Sequence, residues 1–531
     1  MKKAKSGNFI QSTFILMAAS IIVKVIGALF SVPLTNLYGA DGTAIFNVAY
    51  YIYTAMFIIS TAGLPVAVSK MVAEAKALGR NREVKRIASV AFRTFICVGV
   101  FFTLVMVLGV DAFTHFGGAN CRYAVLAVAP TIFFTCIISA IRGYYQGLSN
   151  MVPTAISQVI EALGKLIFGL AAAFYLMKKG YVLDIVVAGA IGGVTVGTVL
   201  SAIYIVIVRI RDKRHEARIV EDDGQCLSGR EILKKLIKLT IPITVGASVL
   251  SLTNLIDTFL VLRRLQDGCM MTEPAAQYLY GAYGMAVKFF NLPQTIIVGI
   301  GVSIIPAISR ALALSSHDRA KSLTESSLRL TGLLAFPCAV GLGVMPRQVM
   351  LLLYPRVPED VAVAAPLLTL LTPAVILVAM VSVTNALLQA MGKINSPVRS
   401  MTIGGVVKLV TNFILVGTAS INIKGAPIGT CLCYGTITVL NLISIWRAGM
   451  RFSFSRVFLK PLLSAGVMGV FAWLLSSPFC KVLGNTVGTL ATVAAAAVIY
   501  VLMLIAVRAL PKEDILMLPK GEKIAKILRM K

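Results

Sequence analysis

Acidic side chains are scarce: 22 Asp and Glu stand against 50 Lys and Arg in 531 residues, and charged residues of both signs make up only 14% of the chain. Soluble domains carry about 25% charged residues, so water is excluded as the main solvent. Histidine is scarcer still, and His115, His215 and His317 fall in segments that read as loops, which argues against a histidine proton relay inside a membrane. The nine cysteines are scattered, mostly inside apolar runs as at Cys97, Cys136, Cys338, Cys431 and Cys433. They lack C-x-x-C spacing, so neither a disulfide framework nor a metal site is expected. No G-x-x-x-x-G-K-[ST] string occurs, so energy from a P-loop nucleotide site is excluded. An ion gradient, the membrane potential or downstream consumption of a substrate remains. Acids in the expected outer loops, such as Asp41, Asp111, Glu273, Glu359 and Asp360, form no D-x-D pair, which argues against a polytopic glycosyltransferase. No enzymatic activity and no cofactor are expected.

What fills the chain is apolar: 58% of its residues are hydrophobic. A hydrocarbon core needs roughly 20 apolar residues per helix, and runs of that length recur from Phe9 almost to the C-terminus, predicting about fourteen transmembrane helices. The period-two alternation of a membrane barrel is absent. The first two spans are expected over 10–34 and 44–69, the fourth over 123–141, and the last two over 461–477 and 485–507. Lys24 interrupts the first apolar run and no small-residue cleavage site follows, so MKKAK opens an uncleaved first helix, not a signal peptide. The net charge of +28 sits mainly in short loops. With both termini in the cytoplasm, the basic residues fall overwhelmingly on the cytoplasmic side, as the positive-inside rule requires. The charge therefore reads as a topology signal and an anchor to membrane lipids, not as a nucleic-acid surface. The basic tail from Arg508, with IAKILRMK, has the composition of a short helix lying on an anionic leaflet.

An internal repeat fixes the architecture. One constant shift superposes Pro130 on Pro373, Gln146 on Gln389 and Lys165 on Lys408, a second superposes Pro65 on Pro306 and Asn47 on Lys288, and a third places Gly189 on Gly425. Six spans separate the copies, and an even number preserves orientation, so the repeats are parallel. The expected organisation is an N-terminal lobe over 1–208, a cytoplasmic linker over 209–238, a C-terminal lobe over 239–447, two added helices over 448–507 and a basic tail over 508–531. Two such lobes around a midplane cavity suit alternating access by a transporter.

Ionisable residues inside the spans mark the candidate site, because each costs about 2.5–3.5 kcal/mol at the bilayer centre unless it faces water or a partner. They are Lys24, Lys165, Lys288, Lys408, Glu161 and Asp257. Glu161 and Lys165 are one helical turn apart and are expected to pair. Asp257 and Glu161 are the candidates for coupling to a cation or proton. Lys288, Asn291 and Gln294 form a polar stripe, matched in the repeat by Asn47, Tyr50 and Tyr53. Four lysines against two acids favour an anionic substrate and oppose a cationic drug. Lys24, Asn47, Lys165, Lys288, Asn291, Gln294 and Lys408 are the candidate substrate-binding residues, with Lys24 and Lys288 expected to reach a diphosphate from opposite lobes.

The stretches KVIGALFSVPLTNLYGADG from Lys24, AYYIYTAMF from Ala49 and STAGLPVAVSKMVAEA from Ser60 carry a family resemblance. They resemble the stage V sporulation protein B branch of the multidrug/oligosaccharidyl-lipid/polysaccharide flippase superfamily. The resemblance implies a fourteen-helix, two-lobe fold in the bacterial inner membrane. It also implies transport of an undecaprenyl-pyrophosphate-linked saccharide, foremost the peptidoglycan precursor lipid II, with the peptidoglycan-synthesis machinery as partner and a monomeric transporter. A cation-coupled multidrug antiporter and an exporter of O-antigen or exopolysaccharide precursors are the alternatives within the superfamily. MurJ-type relatives are associated with cavity arginines, and the best-matching position in the first span here is Lys24.

Overall fold

The computed structural model describes residues 2–216, 227–314, 316–393, 395–450, 452–507 and 509. The centre of the expected linker, 217–226, and the basic tail apart from Ala509 lie outside the described residues. The described chain is helical: α1 Lys2–Thr61, α2 Leu64–Ala77, α3 Asn81–Leu108, α4 Val110–Gly117, α5 Arg122–Gly147, α6 Val152–Lys178, α7 Leu183–Glu216, α8 Gly229–Asp267, α9 Glu273–Ala313, α10 His317–Val344, α11 Pro346–Leu353, α12 Pro358–Ala390, α13 Asn395–Val416, α14 Gly425–Trp446 and α15 Lys460–Ala506. Ten helical stretches among the described residues are long and apolar enough to cross a membrane.

Two of the ten are hairpins. In α1, Gly39 adopts φ 63° and ψ −153°, a conformation open almost only to glycine. Phe30 and Phe46 flank that point, and in a straight helix they would stand about 24 Å apart. Their ring centroids lie 6.1 Å apart, so α1 turns back on itself and supplies the first two spans as two arms. Likewise α15 reverses at Gly484, with φ 74°, and brings Cys480 Sγ to 3.7 Å from Thr489 Oγ1. Counting each arm separately, and adding the 39-residue α8 and the 41-residue α9, gives the fourteen passages expected from hydropathy.

The second span does not run on to residue 69. It stops at Thr61, and α2 starts afresh at Leu64. Pro65 has no N–H to give the Thr61 carbonyl, and its ring would clash there, so the α-helix cannot continue. Gly63, released at the break, donates its N–H to Thr244 Oγ1 of α8 at 3.2 Å. In the first turn of α2, the Pro65 backbone lies so close to Gly143 of α5 that a side chain at 143 would collide with it.

The described residues pack as two compact units, the first drawn from 1–263 with 272–281 and the second from 264–271 with 282–531. In unit 1, α6 lies along α7 through Gly164, Gly169, Gly193 and Gly197, where a Cβ on any one would strike the facing backbone. Small residues allow this close approach where no water is available to drive helices together. In unit 2, Leu387, Leu388, Ile445 and Val457 centre a buried cluster shared by α9, α10, α12 and α14.

The repeat is visible in local geometry within each unit. The order α3, eight-residue α4, α5 is matched by α10, eight-residue α11, α12. The turn after α5 places Ser149 at φ 60°, with Ser149 N–H on Gln146 O at 3.0 Å and Asn150 N–H on Tyr145 O at 3.0 Å. After α12, Gly392 has φ 76°, with its N–H on Gln389 O at 3.0 Å and Lys393 N–H on Leu388 O at 2.9 Å. These are the same bonds in the same repeat register.

Candidate functional site

In unit 1 the ionisable residues of α5 and α6 meet the aromatic face of α1. Glu161 was expected to pair with Lys165, but its partner is Arg142 of α5, whose Nη2 lies 3.0 Å from Glu161 Oε2. The guanidinium also donates through Nε to Ser157 Oγ at 2.9 Å and through Nη2 to Ser201 Oγ of α7 at 3.4 Å. Ser201 Oγ in turn donates to Ser157 O at 2.9 Å, closing a network across three helices. A planar fork can serve three acceptors at once, whereas an ammonium one turn along the same helix offers a single point contact. Both side chains are largely withdrawn from solvent, 15% exposed for Arg142 and 28% for Glu161, which strengthens the pair.

Lys165 is thereby left without an acidic partner within ion-pair distance among the described residues. Its Nζ stands 4.6 Å from the centroid of Phe30 and 5.4 Å from that of Tyr50, one ring from each arm of the α1 hairpin. Aromatic faces stabilise a desolvated ammonium through their quadrupole without neutralising it. The rings belong to a ladder, Phe30, Phe46, Tyr50, Tyr53 and Phe57, with successive centroids 5.8–6.1 Å apart. Asn47 is half-buried on the second arm of α1, one turn before Tyr50. Lys24 lies exposed on the first arm of α1, and Asp257 of α8 is buried within the unit at 6% exposure.

In unit 2, Lys288 and Gln294 are half-buried on α9 and Asn291 is exposed. The α9 segment is held by Phe289 against Tyr354, with centroids 5.4 Å apart, and by Phe290 stacked on Tyr434 at 6.2 Å. Lys408 is half-buried on α13. Where unit 1 carries Arg142 and Glu161, the repeat register gives Asn385 and Gly404. Asn385 accepts a hydrogen bond from Asn441 Nδ2 at 2.8 Å, and Thr384 Oγ1 accepts another from the same nitrogen at 3.0 Å. The charged pair of one copy is thus a neutral amide network in the other. No cluster of three or more His, Cys, Asp or Glu side chains suited to a metal occurs among the described residues.

Sequence reading missed Arg142 because it lies one residue beyond the end of the expected fourth span. The available signal was the repeat itself, which loses Arg142 and Glu161 together while keeping the lysine.

A multi-pass bundle of apolar helices, with a lysine set beside an aromatic wall, is the build of a polytopic helical membrane protein. The sequence profile of the polysaccharide biosynthesis protein family matches residues 9–312, and that of the MatE family matches residues 269–414. The chain belongs to the polysaccharide biosynthesis protein family, in the stage V sporulation protein B and MurJ branch of the multidrug/oligosaccharidyl-lipid/polysaccharide flippase superfamily. It is 24% identical over 527 residues to stage V sporulation protein B of Bacillus subtilis (strain 168), covering 96% of this chain and 98% of that one. It is 25% identical over 490 residues to the lipid II flippase MurJ of the same organism, covering 88% of each. A solved structure described as lipid II flippase MurJ in an inward closed conformation superposes with a TM-score of 0.70 over 92% of this chain and 98% of that one, at 14% identity. The last likeness shows the fold; together with the curated relatives it makes this chain a multi-pass membrane flippase or transporter.

Proposed function

We propose that this protein translocates an undecaprenyl-pyrophosphate-linked saccharide, lipid II foremost, across the bacterial inner membrane by alternating access. The observation that carries the reading is the division of labour in unit 1. Arg142 pairs with Glu161, and the Lys165 ammonium stands beside Phe30 and Tyr50 without an acidic neighbour within ion-pair distance among the described residues. A diphosphate is the complement of such a group, because charge-assisted hydrogen bonds in a water-poor site are roughly twice as strong as neutral ones. A cationic drug would be repelled there, which disfavours a multidrug antiporter despite the partial MatE match.

In this reading Lys24, Asn47 and Lys165 serve the substrate from the first lobe, 1–208. Lys288, Asn291, Gln294 and Lys408 serve it from the second, 239–447, and Asp257 is the group that responds to a coupling ion. Both termini are cytoplasmic, in keeping with the charge distribution of the loops. A native mass spectrum of the full chain, purified from cells that make lipid II, tests the substrate class. The expected result is a bound prenyl pyrophosphate saccharide. Retention of only a neutral glycolipid, or failure of added lipid II to bind, would overturn the reading.

A further inference from the structure

Unit 2 contains a cavity of about 710 Å³ where α12 ends, α13 begins and α14 ends. Three cations line it: Lys393 in the α12–α13 turn, Arg399 in the second turn of α13 and Arg447 just past α14. No acid lines it, and none of the three cations has an ion-pair partner among the described residues. All three are exposed, so their charges sit at the mouth. Farther along the same helix faces, one turn from each arginine, stand Ile403 on α13 and Ile443 on α14, 48% and 39% exposed. Ser396 Oγ donates to Ser444 Oγ at 2.9 Å and ties the two helices together across the pocket.

Positive charge at a loop ordinarily signals topology alone. The other copy of the repeat argues for something more. The α5–α6 turn has the same left-handed residue and the same hydrogen bonds as the α12–α13 turn, yet it carries Asn150 where Lys393 stands and Ile156 where Arg399 stands. The backbone of the turn therefore does not need Lys393 or Arg399; Arg447 keeps a basic counterpart, Arg211, in the first copy, so it is the two added cations beside it that call for a ligand.

We propose that this pocket is a binding site for one anionic glycerophospholipid, its phosphate held by Lys393, Arg399 and Arg447 and an acyl chain lying along Ile403 and Ile443. The complementarity is twofold. Three cations without an acid match a phosphate, and the apolar faces leading away from them match a chain that a free phosphate does not have. Basic pockets between transmembrane helices bind acidic head groups in this manner. The site is separate from Lys165 and its aromatic wall, and it stands whatever substrate the protein carries.

The test uses the full-length protein in detergent and short-chain (dioctanoyl) phosphatidylglycerol, with dioctanoyl phosphatidylcholine as the neutral competitor, bound species being counted by native mass spectrometry. Wild type is expected to retain one phosphatidylglycerol preferentially. The double variant Arg399→Ala, Arg447→Ala is expected to weaken that retention at least tenfold without moving the melting temperature, while Lys234→Ala, Lys238→Ala, which removes two exposed cations from α8, changes it less than twofold. Ile403→Ser, Ile443→Ser is expected to weaken the lipid but not glycerol 3-phosphate. Should the arginine variant misfold, Arg399→Gln alone gives the same reading at smaller amplitude. Equal losses in the arginine and the α8 variants would overturn the proposal in favour of a general surface charge. Glycerol 3-phosphate binding as tightly as the lipid would overturn it in favour of a small-anion site.

Discussion

The two copies of the repeat treat the same buried position in opposite ways. Unit 1 fills it with an ion pair, Arg142 on Glu161, anchored to Ser157 and Ser201. Unit 2 fills it with Asn385, Asn441 and Thr384, uncharged throughout. Arginine and glutamate disappear together between copies, whereas Lys165 persists as Lys408. Residues that come and go jointly behave as one unit, so the acid belongs to the arginine and the lysine has a separate task. A buried pair is also seldom a net gain over neutral packing, which is why unit 2 can dispense with it.

The largest effect should come from breaking the pair on one side. Glu161→Gln leaves Arg142 charged and partly desolvated, and should cost about 2–3 kcal/mol, reduced from the fully buried case because Glu161 is 28% exposed. Arg142→Asn, Glu161→Gln, which replaces the ion pair by neutral amides as unit 2 does with Asn385 and Asn441, should recover at least half of the loss. Thermal unfolding in detergent measures both, and equal destabilisation by the single and the double variant would show that the pairing is not what matters.

A smaller effect tests the matched turns. Ser149 and Gly392 hold the same left-handed position, which costs an L-residue about 1–2 kcal/mol relative to glycine. Ser149→Gly should therefore stabilise unit 1 and Gly392→Ala destabilise unit 2, each by about 1 kcal/mol, since a Cβ at 392 meets open space and backbone strain is the only penalty. Opposite shifts in melting temperature check the claim.

The smallest effect concerns the start of α8. Ser228 N–H donates to Glu231 Oε2 at 2.7 Å and Glu231 N–H donates to Ser228 Oγ at 3.3 Å, a reciprocal capping box. The bond from the Ser228 N–H, followed by one from the Ser228 hydroxyl, holds the Glu231 carboxyl below its ordinary range. A lowered folded-state value means that the contribution is present above the unfolded-state carboxylate range and is lost as pH falls through the folded value. Glu231→Gln should therefore narrow the slight difference in melting temperature between neutral and acid pH; an unchanged acid dependence would count against the cap.

Much of this was legible in the sequence, because hydropathy and the spacing of Pro and Gly are local signals. The spans, the loops at Gly39 and Gly484 and the doubling of the chain all follow from them. The break at Ala62 and Gly63 was harder to see, since apolar residues continue through it and only Pro65 marks the stop. Tyr50 and Tyr53 were visible as a stripe with Asn47. That Tyr50 and Phe30 would flank Lys165 depends on α1 reversing and packing on α6, a tertiary fact without a local signature. Arg142 was overlooked for a related reason: a basic residue at the end of a span looks like an interfacial anchor until the acid it reaches is known.

The most direct test of the cationic site in unit 1 is the affinity of the full-length protein for a soluble prenyl pyrophosphate, compared among wild type, Lys165→Ala and Lys165→Arg. Loss of the ammonium is expected to weaken binding at least tenfold, a change of about 1.4 kcal/mol, while arginine restores most of it. Binding by Lys165→Ala equal to wild type, in a protein that melts normally, would contradict the account.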